Sequence, residues 1–177
     1  SALVIYLIYT IATNKPADFK FAAVGEFFIP DSQITENYIK DRFTEIQTVA
    51  ISTAFLSESF PDQNAAYAQK AMILLTVSGE DVIVVDRDIF ERYSPMGAFE
   101  PLDDLFDEII QYDGVMELNI RPALSSLRQN DETSGDERIY GIDVSDSQFL
   151  SSIGINGRSQ ILTISVKSSD KGLATNF

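Results

Sequence analysis

Hydrophobic positions along the chain fall into short runs, each closed by glycine, proline or a polar cluster. Phe19 to Val24 runs apolar and stops at Gly25, which predicts a first strand over residues 19–24. Pro30-Asp31-Ser32 then supplies helix-start chemistry, with Asp31 or Ser32 as N-cap. Ile34, Tyr38, Ile39, Phe43 and Ile46 follow at helical steps and predict one apolar face. Gln47 to Phe55 is β-branched and reads as a second strand, at 48–54. Asp62 is placed to cap a long helix through Ala65 to Leu75, ending near Ser78-Gly79. Val82-Ile83-Val84-Val85, bracketed by Asp81 and Asp86, has the pattern of a strand covered on both faces.

Strand, helix, strand, helix, strand in this order predicts an α/β domain. The expected architecture has three layers around a mostly parallel sheet, ordered 2-1-3 at its centre because crossovers are right-handed. Beyond it, Ile89 to Tyr93 reads as a short helix, Pro95-Met96-Gly97 as a break, and Phe99 to Leu105 as the approach to another short helix. Pro122 is placed as the first residue of a helix over Ala123 to Leu127. Asn130 to Glu137 is the most polar stretch and is expected to be an exposed loop. Arg138 to Ser145 and Ile161 to Val166 read as strands, and Ser168-Ser169-Asp170 opens a last helix.

Composition narrows the chemistry more than the fold. A chain of 177 residues with 45% hydrophobic content supports one well-buried core, so residues 15–177 are taken as a single domain. The net charge of −14 repels phosphate backbones, which argues against nucleic acid as a partner. There is no Cys and no His. Thiol nucleophiles, disulfides, thiolate or imidazole zinc sites and Ser-His or Cys-His pairs are therefore ruled out. No enzyme, cofactor or metal is expected.

The first residues stand apart. Ala2 to Ala12 is an uncharged apolar run, followed by Asn14-Lys15-Pro16. A spanning helix needs about 20 apolar residues, so the run does not cross a bilayer alone. It is either the outer part of a membrane anchor, with Tyr6 and Tyr9 near the interface, or a buried core element. The opening Ser, in place of Met, suggests a cut from something longer.

The segment Tyr67-Ala68-Gln69-Lys70, then Gly79-Glu80-Asp81-Val82-Ile83-Val84-Val85-Asp86, Phe90, and Gly97-Ala98-Phe99-Glu100-Pro101-Leu102-Asp103-Asp104-Leu105 resembles the first lobe of extracellular solute-binding proteins that serve bacterial ABC importers. Ile161 to Ala174 is similar to that family's return strand and the start of its following helix. The resemblance covers residues 19–105 and, more weakly, 161–177. It implies a periplasmic-binding-protein-like single lobe, because only residues 106–160 stand where the family carries a full second lobe. It also implies an extracytoplasmic domain tethered through residues 1–14, which favours the anchor reading.

In open parallel sheets ligands sit beyond the carboxyl ends of the strands, near the point where strand order reverses. That rule selects Glu26, Phe27, Thr53, Asp86 and Arg87 as candidate ligand-binding residues, with Phe28 beside them and Gly25 allowing close backbone approach. The plainer account makes Phe27 and Phe28 core, has Asp86 cap the next helix, and leaves Arg87 solvated. Asp86 with Asp88, and Asp103 with Asp104, are explained as caps rather than catalytic pairs. The oxygen-rich stretch Asn130 to Glu137 departs from the spacing of a Ca²⁺ loop.

The sequence thus leads to a membrane-tethered extracytoplasmic binding or sensing domain, its partner an unidentified small molecule or envelope protein, with self-association through Ala2 to Ala12 as a further expectation. The alternative is a structural or interaction module of the cell envelope. Deleting residues 1–14 separates anchor from core element. If the run belongs to lipid, the thermal midpoint of residues 15–177 stays unchanged and solubility improves. An unfolded or aggregated product makes the run part of the core.

Overall fold

The computed structural model describes residues 17–56, 64–110, 121–129, 132–133, 135–156 and 159–176. Its frame is a six-stranded mixed sheet ordered β2-β1-β3-β8-β7-β4. Here β1 is Phe19–Gly25, β2 Val49–Phe55, β3 Val82–Asp86, β4 Arg121–Ser125, β7 Arg138–Asp143 and β8 Gln160–Ile164. The short strands β5 (Arg128–Gln129) and β6 (Glu132–Thr133) form a separate ribbon. Helices α1 (Ser32–Arg42) and α2 (Asn64–Thr76) connect the first three strands. After β3 come α3 (Arg87–Tyr93) and α4 (Asp103–Ile110), with a 3₁₀ turn at Ser94–Met96 between them. Helix α5 (Gln148–Ser152) lies between β7 and β8, and α6 (Lys171–Asn176) follows β8.

The first three strands lie where the pattern placed them, mutually parallel and in the order β2-β1-β3. The expectation of a mostly parallel sheet is corrected. Three of the five neighbouring pairs, β3–β8, β8–β7 and β7–β4, are antiparallel. The β2-β1-β3 block also lies at one side of the sheet rather than at its centre. Helical crossovers return the chain to the same end of the sheet between the first three strands and keep them parallel. The link from β7 to β8 stays at one end, where Val144 N–H donates to Gln160 O (2.8 Å), so the chain turns back antiparallel.

Apolar clusters form on both faces of the sheet. One gathers Phe19, Phe21, Ala23, Val82 and Val84 with Ile39 of α1 and Leu150 of α5. The other gathers Ala22, Val24, Ile83 and Val85 with Ala71, Leu74 and Leu75 of α2 and Phe90 of α3. Successive residues of β1 and β3 therefore alternate between two cores, and Val82 to Val85 are all 0% exposed.

A local signal starts α1. Asp31 Oδ1 accepts from the N–H groups of Gln33 (2.9 Å) and Ile34 (3.4 Å), as an N-cap should. The apolar face expected on that helix is narrower than its spacing suggested: Ile39 and the following Ile46 are buried, while Ile34 is 57% and Tyr38 38% exposed. Thr35 takes the second buried position on α1. Pro122 corrects a second expectation, for it stands in β4 and not at a helix start. Proline has no N–H to donate, and β4 is the outermost strand, where one flank needs no donor. The β4–β7 ladder also shifts register between Ala123 and Leu124.

The polar stretch Asn130 to Glu137 is described only in part. Glu132–Thr133 belongs to the ribbon, and Gly135, Asp136 and Glu137 are exposed. Asp62 and the run Ala2 to Ala12 lie outside the described residues, so the helix cap and the anchor expected there do too. No helix among the described residues is long and apolar enough to cross a membrane.

One buried carboxylate ties the amino ends of β1 and β3 to the chain beyond β8. Asp81, 1% exposed, accepts from Lys20 N–H (2.9 Å) through Oδ2 and from the Ser168 hydroxyl (2.6 Å) through Oδ1. Its own N–H donates to Lys20 O (2.9 Å).

Because both faces of β3 are closed, Val84→Asp places a carboxylate where nothing solvates it. The expected cost is about 4 kcal/mol or more. A urea titration reads it, and an unchanged midpoint contradicts the doubly covered strand.

Candidate functional site

At the carboxyl end of the parallel block, the Asp86 side chain of β3 lies against the end of β1. Gly25 ends β1, and a Cβ built on it would lie 2.2 Å from Asp86 Oδ2 and 2.9 Å from the Phe27 ring. Only glycine fits. The space it leaves is taken by the Asp86 carboxylate, whose Oδ2 accepts from the Glu26 N–H at 2.5 Å. Asp86 stands at the N-cap position of α3, yet its side chain makes no cap hydrogen bond there. The capping account is therefore corrected: this carboxylate serves the loop after β1 and not its own helix.

Of the five residues selected by sequence, Glu26 and Asp86 are thus brought together. Phe27 is 5% exposed and belongs to the core cluster, so its ring is no stacking surface; the exposed ring is that of Phe28, at 65%. Thr53 pairs in register with Ala23, two residues short of the Gly25–Phe55 pair that ends the ladder. The Arg87 side chain is 42% exposed, yet it is paired with Asp143 rather than with the loop. Its guanidinium donates to Asp143 Oδ2 at 3.1 Å, and its N–H donates to Ser159 O at 3.0 Å.

Asp143 is the hub of a network that sequence reading missed. It accepts from Ser145 through both N–H (3.1 Å) and hydroxyl (2.6 Å), and Arg121 stands 3.9 Å away. Ser145 Oγ accepts in turn from Gln160 N–H at 3.0 Å. The ends of β3, β7 and β8 are pinned together at this point. Burial works against the Asp143 charge, but the Ser145 donors and the Arg121 and Arg87 guanidiniums outweigh it and hold its pKa below the ordinary carboxylate value. The Asp-x-Ser spacing, which favours an Asx-type turn, was the one local signal available.

Two other carboxyls are shifted the opposite way. Burial pushes Asp86 up; the Glu26 N–H draws it back, and the charges of Glu26 and Asp88 raise it further. Glu80, at the other end of the same strands, is 4% exposed, and its Oε2 finds no hydrogen-bond partner. Burial raises its pKa against the pull of Ser78, Lys20 and Ser52, and the Asp81 charge adds to the rise. Asp103 stands with Asp104 in the first turn of α4, and its carboxylate also accepts from Arg138 Nε (2.9 Å) and Ile139 N–H (3.3 Å).

An open groove of about 310 Å³ lies away from this site, beside Ile164 at the far end of β8. It is lined by Glu100, Pro101, Leu102, Asp104, Leu105 and Lys171, none of them selected as ligand-binding from the sequence. Among the described residues no three His, Cys, Asp or Glu side chains gather as metal ligands would. No protein-family model, curated protein or solved structure matches the chain.

The carboxyl shifts fix the sign of the pH dependence. Glu80 and Asp86 contribute stability that is complete below the ordinary carboxylate pKa and is lost as pH rises through their raised values. Glu80→Gln is expected to flatten that decline in urea midpoints measured from acid to neutral pH. Asp143 behaves inversely: its contribution is present above the ordinary value and lost as pH falls through the lowered one. Wild type and Glu80→Gln whose midpoints follow the same pH profile contradict the raised pKa of Glu80.

Proposed function

We propose that the chain is a membrane-tethered extracytoplasmic binding or sensing domain, a single lobe of the solute-binding-protein kind, taking its ligand beyond the carboxyl ends of β1 and β3. The observation that carries this reading is the Gly25–Glu26–Asp86 contact. A carboxylate faces exposed backbone between two parallel strands, where strand order reverses and open α/β sheets take their ligands. The place of β8 supports the lobe. The segment likened to the family's return strand runs antiparallel beside β3, and Asp81 ties the chain beyond it to the start of β1. The tether rests on the apolar run Ala2 to Ala12.

The ligand class follows from charge. Arg87 is drawn off to Asp143, which leaves Asp86 beside exposed Glu26 and Asp88 at the mouth. A small cationic or donor-rich solute suits that field, and an anion does not. A cation bound there stabilises ionised Asp86, so affinity should rise with pH across the raised carboxyl pKa.

A panel of small amines, amino acids and short basic peptides, read by calorimetry, tests the reading. Asp86→Asn keeps an acceptor for the Glu26 N–H and removes the charge, so affinity for a cationic solute should fall by about tenfold or more. A panel without a binder, or affinity unchanged in Asp86→Asn, rejects it. The second reading, a contact module of the envelope, is favoured by the exposed Phe28, Ile34 and Tyr38, with Tyr38 stacked at 4.5 Å on Phe149.

A further inference from the structure

The two edges of the sheet are built differently. β4 carries Pro122, an exposed Arg121 and a register shift between Ala123 and Leu124, all features that discourage a further strand. β2, at the opposite edge, reads Val-Ala-Ile-Ser-Thr-Ala-Phe: seven residues with no charge, proline or glycine. Its ladder to β1 is unbroken from Val49 to Phe55.

The bonds at the ends of that ladder show which groups of β2 face outward. Phe19 N–H donates to Thr48 O (3.1 Å), and Leu56 N–H donates to Gly25 O (3.0 Å). In a parallel pair the N–H and C=O of one residue point to the same side, and alternate residues serve alternate sides. The even positions from 48 to 56 therefore bond to β1. Val49, Ile51, Thr53 and Phe55 turn their N–H and C=O outward, and among the described residues no strand lies beyond them.

The helix packed on β2 adds apolar surface beside this open edge. On α2 and the residue after it, Tyr67 is 46%, Ile73 42% and Val77 70% exposed. Ala71, Leu74 and Leu75 face the sheet. At 100° per residue, a right-handed crossover from β2 to β3 turns Tyr67, Ile73 and Val77 to the flank nearest the outer edge of β2.

We propose that this edge is an interface, and that its occupant is β2 of a second copy of the chain, antiparallel across a twofold axis. A twofold centred on Ser52 sets Ile51 opposite Thr53 and Val49 opposite Phe55, so all four outward residues exchange bonds. Every opposed pair is then uncharged, and those on the Val49–Phe55 face are apolar or β-branched, which favours pairing. Each copy carries a net charge of −14, but β2 is uncharged along its whole length, so pairing it with itself sets no carboxylate against another at the seam. Two such sheets joined at β2 make one continuous sheet, with the α2 helices of both copies beside the seam. This inference is independent of the ligand reading.

Sedimentation of the full chain over a range of concentrations tests it. The wild type is expected to dimerise, and more tightly as salt is raised, because screening weakens the mutual repulsion of two acidic protomers. Thr53→Pro removes an outward N–H without touching the ladder to β1, and the twofold duplicates the loss. A rise of about tenfold or more in the dimer dissociation constant is expected, with an unchanged circular dichroism spectrum. Val77→Glu, on an exposed side chain, provides the same test without a backbone change and should weaken the dimer as well. A monomeric wild type overturns the proposal. So does an assembly that both variants leave intact, as one held by Ala2 to Ala12 would be.

Discussion

Val82 to Val85 offers water no polar side chain, and that constraint governs the rest of the molecule. A strand apolar on both sides is stable only if both faces are covered. Hence α1 and α5 pack on one side, α2 and α3 on the other, and β1 shares the same two-sided burial. With its faces sealed, β3 can present polar groups only at its ends. Asp81 and Asp86 occupy those ends: one locks the amino edge of the sheet, the other opens the carboxyl edge to a neighbouring loop.

Three carboxyls near the two ends of the strands differ because their neighbours differ. Asp143 has two donors from Ser145 and two guanidiniums within reach, so its charge is welcome despite burial. Glu80 has hydroxyls and one ammonium nearby, but an oxygen without a partner, so burial prevails. Asp86 lies between these cases, with one backbone donor against two neighbouring carboxylates. The carboxyl edge is therefore rigid where β3, β7 and β8 meet and chemically poised where β1 meets β3.

The first half of the chain was legible because its signals are local and strong. Apolar runs closed by Gly25, Asp86 and the Asp31 cap mark β1, β3 and α1 without knowledge of any neighbour. The second half hides its strands. Pro122-Ala123-Leu124 contains good helix formers after a proline, and only pairing with β7, distant in sequence, makes it a strand. Helix α5 is too short to show a period, and its sole local mark is the Ser147 cap on Leu150 N–H. The candidate site was half visible. Its residues could be chosen from the ends of strands, but the direction of the Asp86 side chain depends on the gap left by Gly25. Arg87 needed Asp143, which lies 56 residues away.

The position of β8 bears on how the chain is made. It is the last strand in sequence, yet it sits between β3 and β7, and its Thr163 hydroxyl donates to Ile83 O across 80 residues. During synthesis β3 must wait with one flank unpaired while the intervening residues emerge. Neither β7 nor β4 can join the earlier strands until residues 160–164 arrive. Completion of this sheet is a late, long-range event, and the nascent chain carries an open apolar edge until then.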